Sequence, residues 1–162
     1  DNFQSIAYNG NINKRYSVKN KRCIHKINLR SDFMKKLYTD FTDKEKELLK
    51  NILKNSKNKE ITIIPHAKER MVQKHISPRD IAECLKDFEV IELHQRNSWD
   101  TRVLLRGKAK DKYNRNTCIS LSLVTFNVIT AYKNSATDNH YTLQSENYEN
   151  TNVEYLLEEL AK

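Results

Sequence analysis

From residue 89 to residue 133 apolar residues recur at every second position, and this period constrains the chain more than any other feature. A period of two sends successive side chains to opposite faces of an extended strand, whereas an amphipathic helix repeats every 3.6 residues. Four runs carry the pattern: "VIELHQ", "TRVLLRG", "CISLSLV" and "NVITAYK". The breaks between them are "RNSWD", "KAKDKYNRN" and a tight "TFN". Connections this short favour antiparallel neighbours, because a parallel pair needs a long crossover.

Alternation also sorts the strand residues by face. One set is Ile91, Leu93, Val103, Leu105, Ile119, Leu121, Leu123, Ile129 and Ala131, all apolar, and it should pack on helices. The opposite set is Glu92, His94, Arg102, Leu104, Arg106, Ser120, Ser122, Thr130 and Tyr132. Antiparallel sheets commonly have one wet face, which accounts for polar residues without any further role. Arg, His and Tyr, however, are the types that bind phosphate, move protons and stack on bases.

Helices precede the strands. In "TDKEKELLKNILKN" Thr42 caps and Glu45 sits three residues on, a capping box ahead of the stripe Leu48, Leu49, Ile52 and Leu53. A second helix starts near Pro65, carries Ala67 and Met71 on its inner face and ends near His75, where a cationic ring suits the C-terminus. In "SPRD" Ser77 caps, Pro78 takes the first position and Asp80 sits at the positive end of a third helix, with Ile81, Cys84, Leu85 and Phe88 inward. These signals predict helices over 43–55, 65–75 and 78–87. Upstream, "RSDFMKKLYTDF" fits a short helix capped by Ser31, with Phe33, Met34 and Leu37 inward. At the other end "NVEYLLEELAK" predicts an acidic amphipathic helix.

Charge divides unevenly along the chain. Residues 1–60 hold 15 Lys and Arg against 7 Asp and Glu, residues 61–140 hold 13 against 9, and residues 141–162 hold 1 against 5, for a net +8. A basic body suits a polyanionic partner, nucleic acid or a membrane surface, although basic charge also serves solubility alone. No run approaches the length of a membrane span, and "DNFQSIAYNG" has no signal-peptide pattern. Cys23, Cys84 and Cys118 are too far apart for a metal site and odd in number, so they read as buried small hydrophobes in a reducing compartment.

The order of these elements resembles a known group of proteins. A helix carries "HAKER", "ISPRDI" follows, and the last of four strands ends in "VITAYK". This resembles the barnase–EndoU–colicin–RelE superfamily of small metal-independent ribonucleases, over roughly residues 62–143. Within it the chain looks most like uncharacterised prokaryotic and phage toxin-like members with an H-x-x-x-R helix and a T-A-Y strand. The resemblance implies an α+β fold, with N-terminal helices packed on one face of a four-stranded twisted antiparallel sheet whose open face holds RNA. It implies no cofactor and no metal.

Carried onto this chain, the helix motif falls on His66 and Arg70, the strand arginine on Arg102, and the last-strand hydroxyl and ring on Thr130 and Tyr132, with His140 just beyond. RNA cleavage of this kind needs a base for the 2′-hydroxyl, an acid for the leaving oxygen and cations for the phosphate. His66 is then the leading base or acid and His140 its counterpart. Arg70 and Arg102 clamp phosphate, Thr130 donates to it, and Tyr132 stacks on a base or relays a proton. Arg106, His94, Ser120 and Ser122 would bind RNA. Each has an ordinary alternative: His66 solvated at a helix start, Arg70 paired with Glu69 or Glu92, Trp99 anchoring its loop instead of stacking on a base.

The expected organisation is a basic, partly irregular extension over 1–40, a nuclease-like domain over 41–145 and an acidic helix within 146–162. Expected partners are RNA, tRNA among the candidates, and an acidic cognate antitoxin or immunity protein covering the basic face. Action in the cytoplasm is expected, with delivery as part of a larger secreted or phage protein a further route. Competing readings are a non-catalytic nucleic-acid-binding or inhibitor module on the same fold, and an interaction protein whose acidic C-terminal helix docks on a basic partner.

Overall fold

Two capping boxes set where the helices begin. Thr42 Oγ1 accepts from the Glu45 amide at 3.1 Å, and Glu45 Oε2 accepts from the Thr42 amide at 2.8 Å. Ser77 and Asp80 exchange the same two bonds at 3.2 and 2.7 Å. The computed structural model describes residues 34–56, 60–97, 99–139 and 148–162. The helices are α1 (Asp43–Ser56), α2 (Pro65–Gln73) and α3 (Pro78–Lys86). α2 closes through His75, whose φ is 52°. The Ile76 amide donates to Met71 O at 2.8 Å and the His75 amide to Val72 O at 3.2 Å, a Schellman closure with His where Gly is usual.

The strands are β1 (Met34–Leu37), β2 (Phe88–Asn97), β3 (Asp100–Lys110), β4 (Arg115–Ser122) and β5 (Val128–Ser135). They form one antiparallel sheet in the order β1-β2-β3-β4-β5. Helix α4 (Glu154–Leu160) follows. The architecture is α+β as expected, but the sheet has five strands, not four. The additional strand lies where a short helix was expected; Ser31 and Phe33 fall outside the described residues.

Lys36 explains the difference. A helix would turn Lys35 and Lys36 toward water. In β1, Met34 joins the main core and Lys36 is 1% exposed. Its ammonium lies 2.9 Å from both Glu45 carboxylate oxygens and 2.8 Å from Thr151 O. Glu45 also accepts from the Val153 amide at 2.8 Å. One buried ion pair therefore joins β1, the start of α1 and the approach to α4. It places a lysine at a position that an alternating pattern would fill with an apolar residue.

The main core lies between the helices and one sheet face. Leu49, Ile52, Ala67, Met71, Ile81 and Cys84 pack with Leu93, Val103, Leu105, Ile119 and Leu121. Two members of the expected apolar set do not join it. Bulges interrupt β2 between Val90 and Glu92 and β5 between Val128 and Thr130. An extra residue in a strand breaks the period of two. Ile91 accordingly packs with Leu104, Cys118 and Tyr132 on the opposite face, and Val128 takes the core position expected of Ile129.

Short bridges touch both sheet edges. Tyr148 pairs in parallel with Lys35, and Ile63 with Val128. Bridges of this kind limit pairing with other chains. Leu157 of the acidic helix α4 and Val153 just before it lie in the main core. Lys44 on α1 lies 2.9 Å from both Glu154 and Glu158. The acidic helix, which a competing reading would dock on a basic partner, packs on this chain's own α1. Among the described residues no helix is long and apolar enough to cross a membrane.

Gly107 lets α3 approach β3. A Cβ there would meet Cys84 Cα and Cβ at 3.1 Å and its sulfur at 3.3 Å. Gly107→Ala is expected to destabilise by about 1–3 kcal/mol, the usual cost of overpacking. Urea unfolding measures it, and an unchanged midpoint would show that α3 shifts without cost.

Candidate functional site

Pairing across the sheet sets the residues of the helix-free face in rows. Lys35, His94, Arg102 and Ser122 are successive Cα partners in one row. Leu37, Glu92, Leu104, Ser120 and Thr130 make the next. Arg106, Cys118 and Tyr132 make a third. With strands about 4.8 Å apart, the first row spans about 14 Å.

Glu92 is the centre of this face. Its side chain is fully buried, while His94 beside it is 14% exposed. His94 Nε2 lies 2.5 Å from Glu92 Oε1, and the Tyr148 hydroxyl donates to Glu92 Oε2. The spacing on β2 causes this contact, because residues i and i+2 of a strand share a face. A buried carboxylate within hydrogen-bond reach of an imidazole fixes the orientation of the ring.

Carboxylates hold the two arginines. Arg102 donates Nε and Nη2 to Asp100 at 2.5 and 2.6 Å, two of its five N–H groups. Arg106 pairs with Glu89 across the β2–β3 ladder. Lys35 is 2% exposed, with its ammonium 5.7 Å from the centre of the Tyr148 ring. Lys35, Arg102 and Arg106 are thus balanced in number by Glu92, Asp100 and Glu89. The face expected to be wet and basic is charge-paired, around an apolar patch of Ile91, Leu104, Cys118 and Tyr132.

Several expected contributors sit otherwise. Ser120 and Ser122 are 6% and 5% exposed, and the Ser122 hydroxyl accepts from the Val124 and Thr125 amides at 3.3 and 3.1 Å, so it serves the β4–β5 turn. Burial, with Cys118 and Glu92 nearby, pushes the Tyr132 phenol far up, so the phenol stays protonated at neutral pH and its O–H remains a hydrogen-bond donor. Burial pushes the Cys118 and Cys84 thiols up to about 12, as in structural cysteines. Thr130 is half-buried at the end of the second row.

His66 and Arg70 lie on α2, whose Ala67 and Met71 pack into the main core on the other side of the sheet. Both are exposed, and Arg70 donates to Gln73 at 3.3 Å. No hydrogen bond joins either residue to the rows above among the described residues. His140, Cys23 and His25 fall outside the described residues. Sequence reasoning listed His94 for binding only and gave Glu92, Lys35, Asp100 and Tyr148 no role in the site. The E-x-H spacing on β2 is the one signal that pointed to the pair.

Residues 63–133 match the model of a family described as a domain of unknown function (DUF4258). The matched segment runs from just before α2 into β5 and holds every candidate residue named above except His140, Lys35 and Tyr148. No curated protein and no solved structure matches the chain.

Proposed function

We propose that this chain is a toxin-like, metal-independent endoribonuclease on a RelE/barnase-like fold, with its chemistry on the helix-free face. The observation that carries the reading is the buried Glu92 carboxylate holding His94 directly across from Arg102. In this reading His94 moves the proton of the ribose 2′-hydroxyl or of the leaving 5′-oxygen. Glu92 steadies the charged ring, as a carboxylate does for a proton-transferring imidazole. Arg102, fixed by Asp100, presents its remaining N–H groups to the phosphate, where charge develops. Tyr132 donates or stacks. His66 and Arg70 form a second, exposed basic site on α2 that meets RNA outside the row of reacting groups. An acidic antitoxin or immunity protein would cover this surface.

The alternative is a non-catalytic nucleic-acid-binding or inhibitor module on the same fold; charge balance on the face favours the inhibitor form, since paired arginines attract a polyanion less than free ones. The test is incubation with total RNA and with tRNA in EDTA, with His94→Ala and His66→Ala beside the wild type. The proposal expects cleavage that His94→Ala loses and His66→Ala keeps within severalfold. Loss in His66→Ala alone would move the proton role to α2. Binding without cleavage would leave the module. Arg102→Ala should weaken RNA binding and lower the slope of log affinity against log salt by about one, with circular dichroism unchanged.

A further inference from the structure

Trp99, the chain's single tryptophan, occupies the turn between β2 and β3 and is 71% exposed. Most of the indole surface therefore faces water. Asp100 follows it, and the Asp100 carboxylate holds Arg102. Trp99 and Arg102 are three positions apart along the chain, about 10 Å at about 3.3 Å per residue. The β4–β5 turn lies at the same end of the sheet, where the Leu123 amide donates to Thr101 O at 2.8 Å. Val124 on that turn is 41% exposed. Two exposed apolar side chains therefore stand at the end of the sheet nearest the row of Lys35, His94, Arg102 and Ser122.

We infer that the polynucleotide is taken as a single strand, with a base stacked on Trp99 next to the phosphate held at Arg102. This rests on the reading of the helix-free face as an RNA site and adds the form of RNA that it takes. In a duplex the bases stack on each other and their flat faces are hidden. In a single strand those faces are open, and an aromatic ring beside a cation engages them with little regard to sequence.

The test uses a short single strand with 2′-fluorine in place of every 2′-hydroxyl, so that nothing is cut, and the duplex of the same sequence. Label anisotropy reports binding, and the emission of the single tryptophan reports contact at Trp99. The single strand should quench the emission saturably and the duplex should not. Trp99→Leu should bind the single strand roughly tenfold or more weakly, the scale of one stacked base, and Trp99→Phe should recover most of that loss. Single-strand binding with unchanged emission and with Trp99→Leu equal to wild type would overturn the inference and leave the RNA site standing. Equal quenching by the duplex would overturn the single-strand preference. No rise in anisotropy with either form would remove the RNA site and the inference with it.

Discussion

Glu45→Ala is expected to cost about 3–5 kcal/mol, the scale for leaving one partner of a buried ion pair without the other. Lys36 would be left at 1% exposure without its carboxylate partner, and the Thr42 and Val153 amides would lose their acceptor. Against typical domain stabilities of about 5–15 kcal/mol, that is a large share. Urea unfolding should show the midpoint falling with an unchanged slope. Lys36→Met combined with Glu45→Leu should cost less than the two single changes together, because no isolated charge remains. Acid gives a second readout. Burial alone would raise the Glu45 pKa, but Lys36 and the Val153 and Thr42 amides outweigh it and hold the carboxyl below its ordinary range. A depressed folded value stabilises above the ordinary glutamate pKa of about 4.3 and loses that stabilisation as pH falls through the folded value. Glu45→Gln should flatten the stability profile in that window. An Ala variant that unfolds at the wild-type midpoint would show that the pair contributes nothing net.

His94→Ala is expected to lower RNA cleavage by about a hundredfold or more, the scale for a positioned proton-transfer group. Glu92→Gln keeps the size and shape of the side chain but removes the charge that steadies the imidazole, so roughly tenfold or more should follow. Single-turnover rates at saturating RNA separate these losses from weaker binding. Both proteins should show wild-type circular dichroism. A His94→Ala rate within threefold of wild type, with Glu92→Gln equally active, would take the chemistry away from this pair.

How far the sequence disclosed this molecule depends on the kind of signal. The three helices before the meander were legible because Thr42, Glu45, Pro65, Ser77 and Asp80 act locally, through bonds to amides a few residues away. The four-strand meander was legible because its apolar period is long and its turns short. β1 was not, because its inward Lys36 is neutralised by Glu45, and no local pattern shows which acid a buried lysine will meet. Glu45 was legible as a cap and illegible as an ion-pair partner. The bulges at Ile91 and Ile129 were also hidden, since one inserted residue leaves composition unchanged while it turns a side chain to the other face. In the candidate site Arg102, Arg106, His94 and Tyr132 were placed on one face by alternation alone. Their carboxylate partners Asp100 and Glu89 and the cover from Tyr148 depend on register and on the path of the C-terminal segment. Alternation carries neither.

In the proposed reaction the face holding Glu92, His94 and Arg102 cleaves RNA through the ribose 2′-hydroxyl. The most direct measurement uses an oligonucleotide of deoxyribose units with a single ribose, incubated in EDTA with wild-type protein and with His94→Ala, and reads the new 3′ end by mass. The expected result is a cut only after the ribose, a 2′,3′-cyclic phosphate on the product, and at least a hundredfold slower appearance with His94→Ala. Cutting at deoxyribose positions, cleavage that EDTA abolishes, or an equal rate from His94→Ala would contradict it.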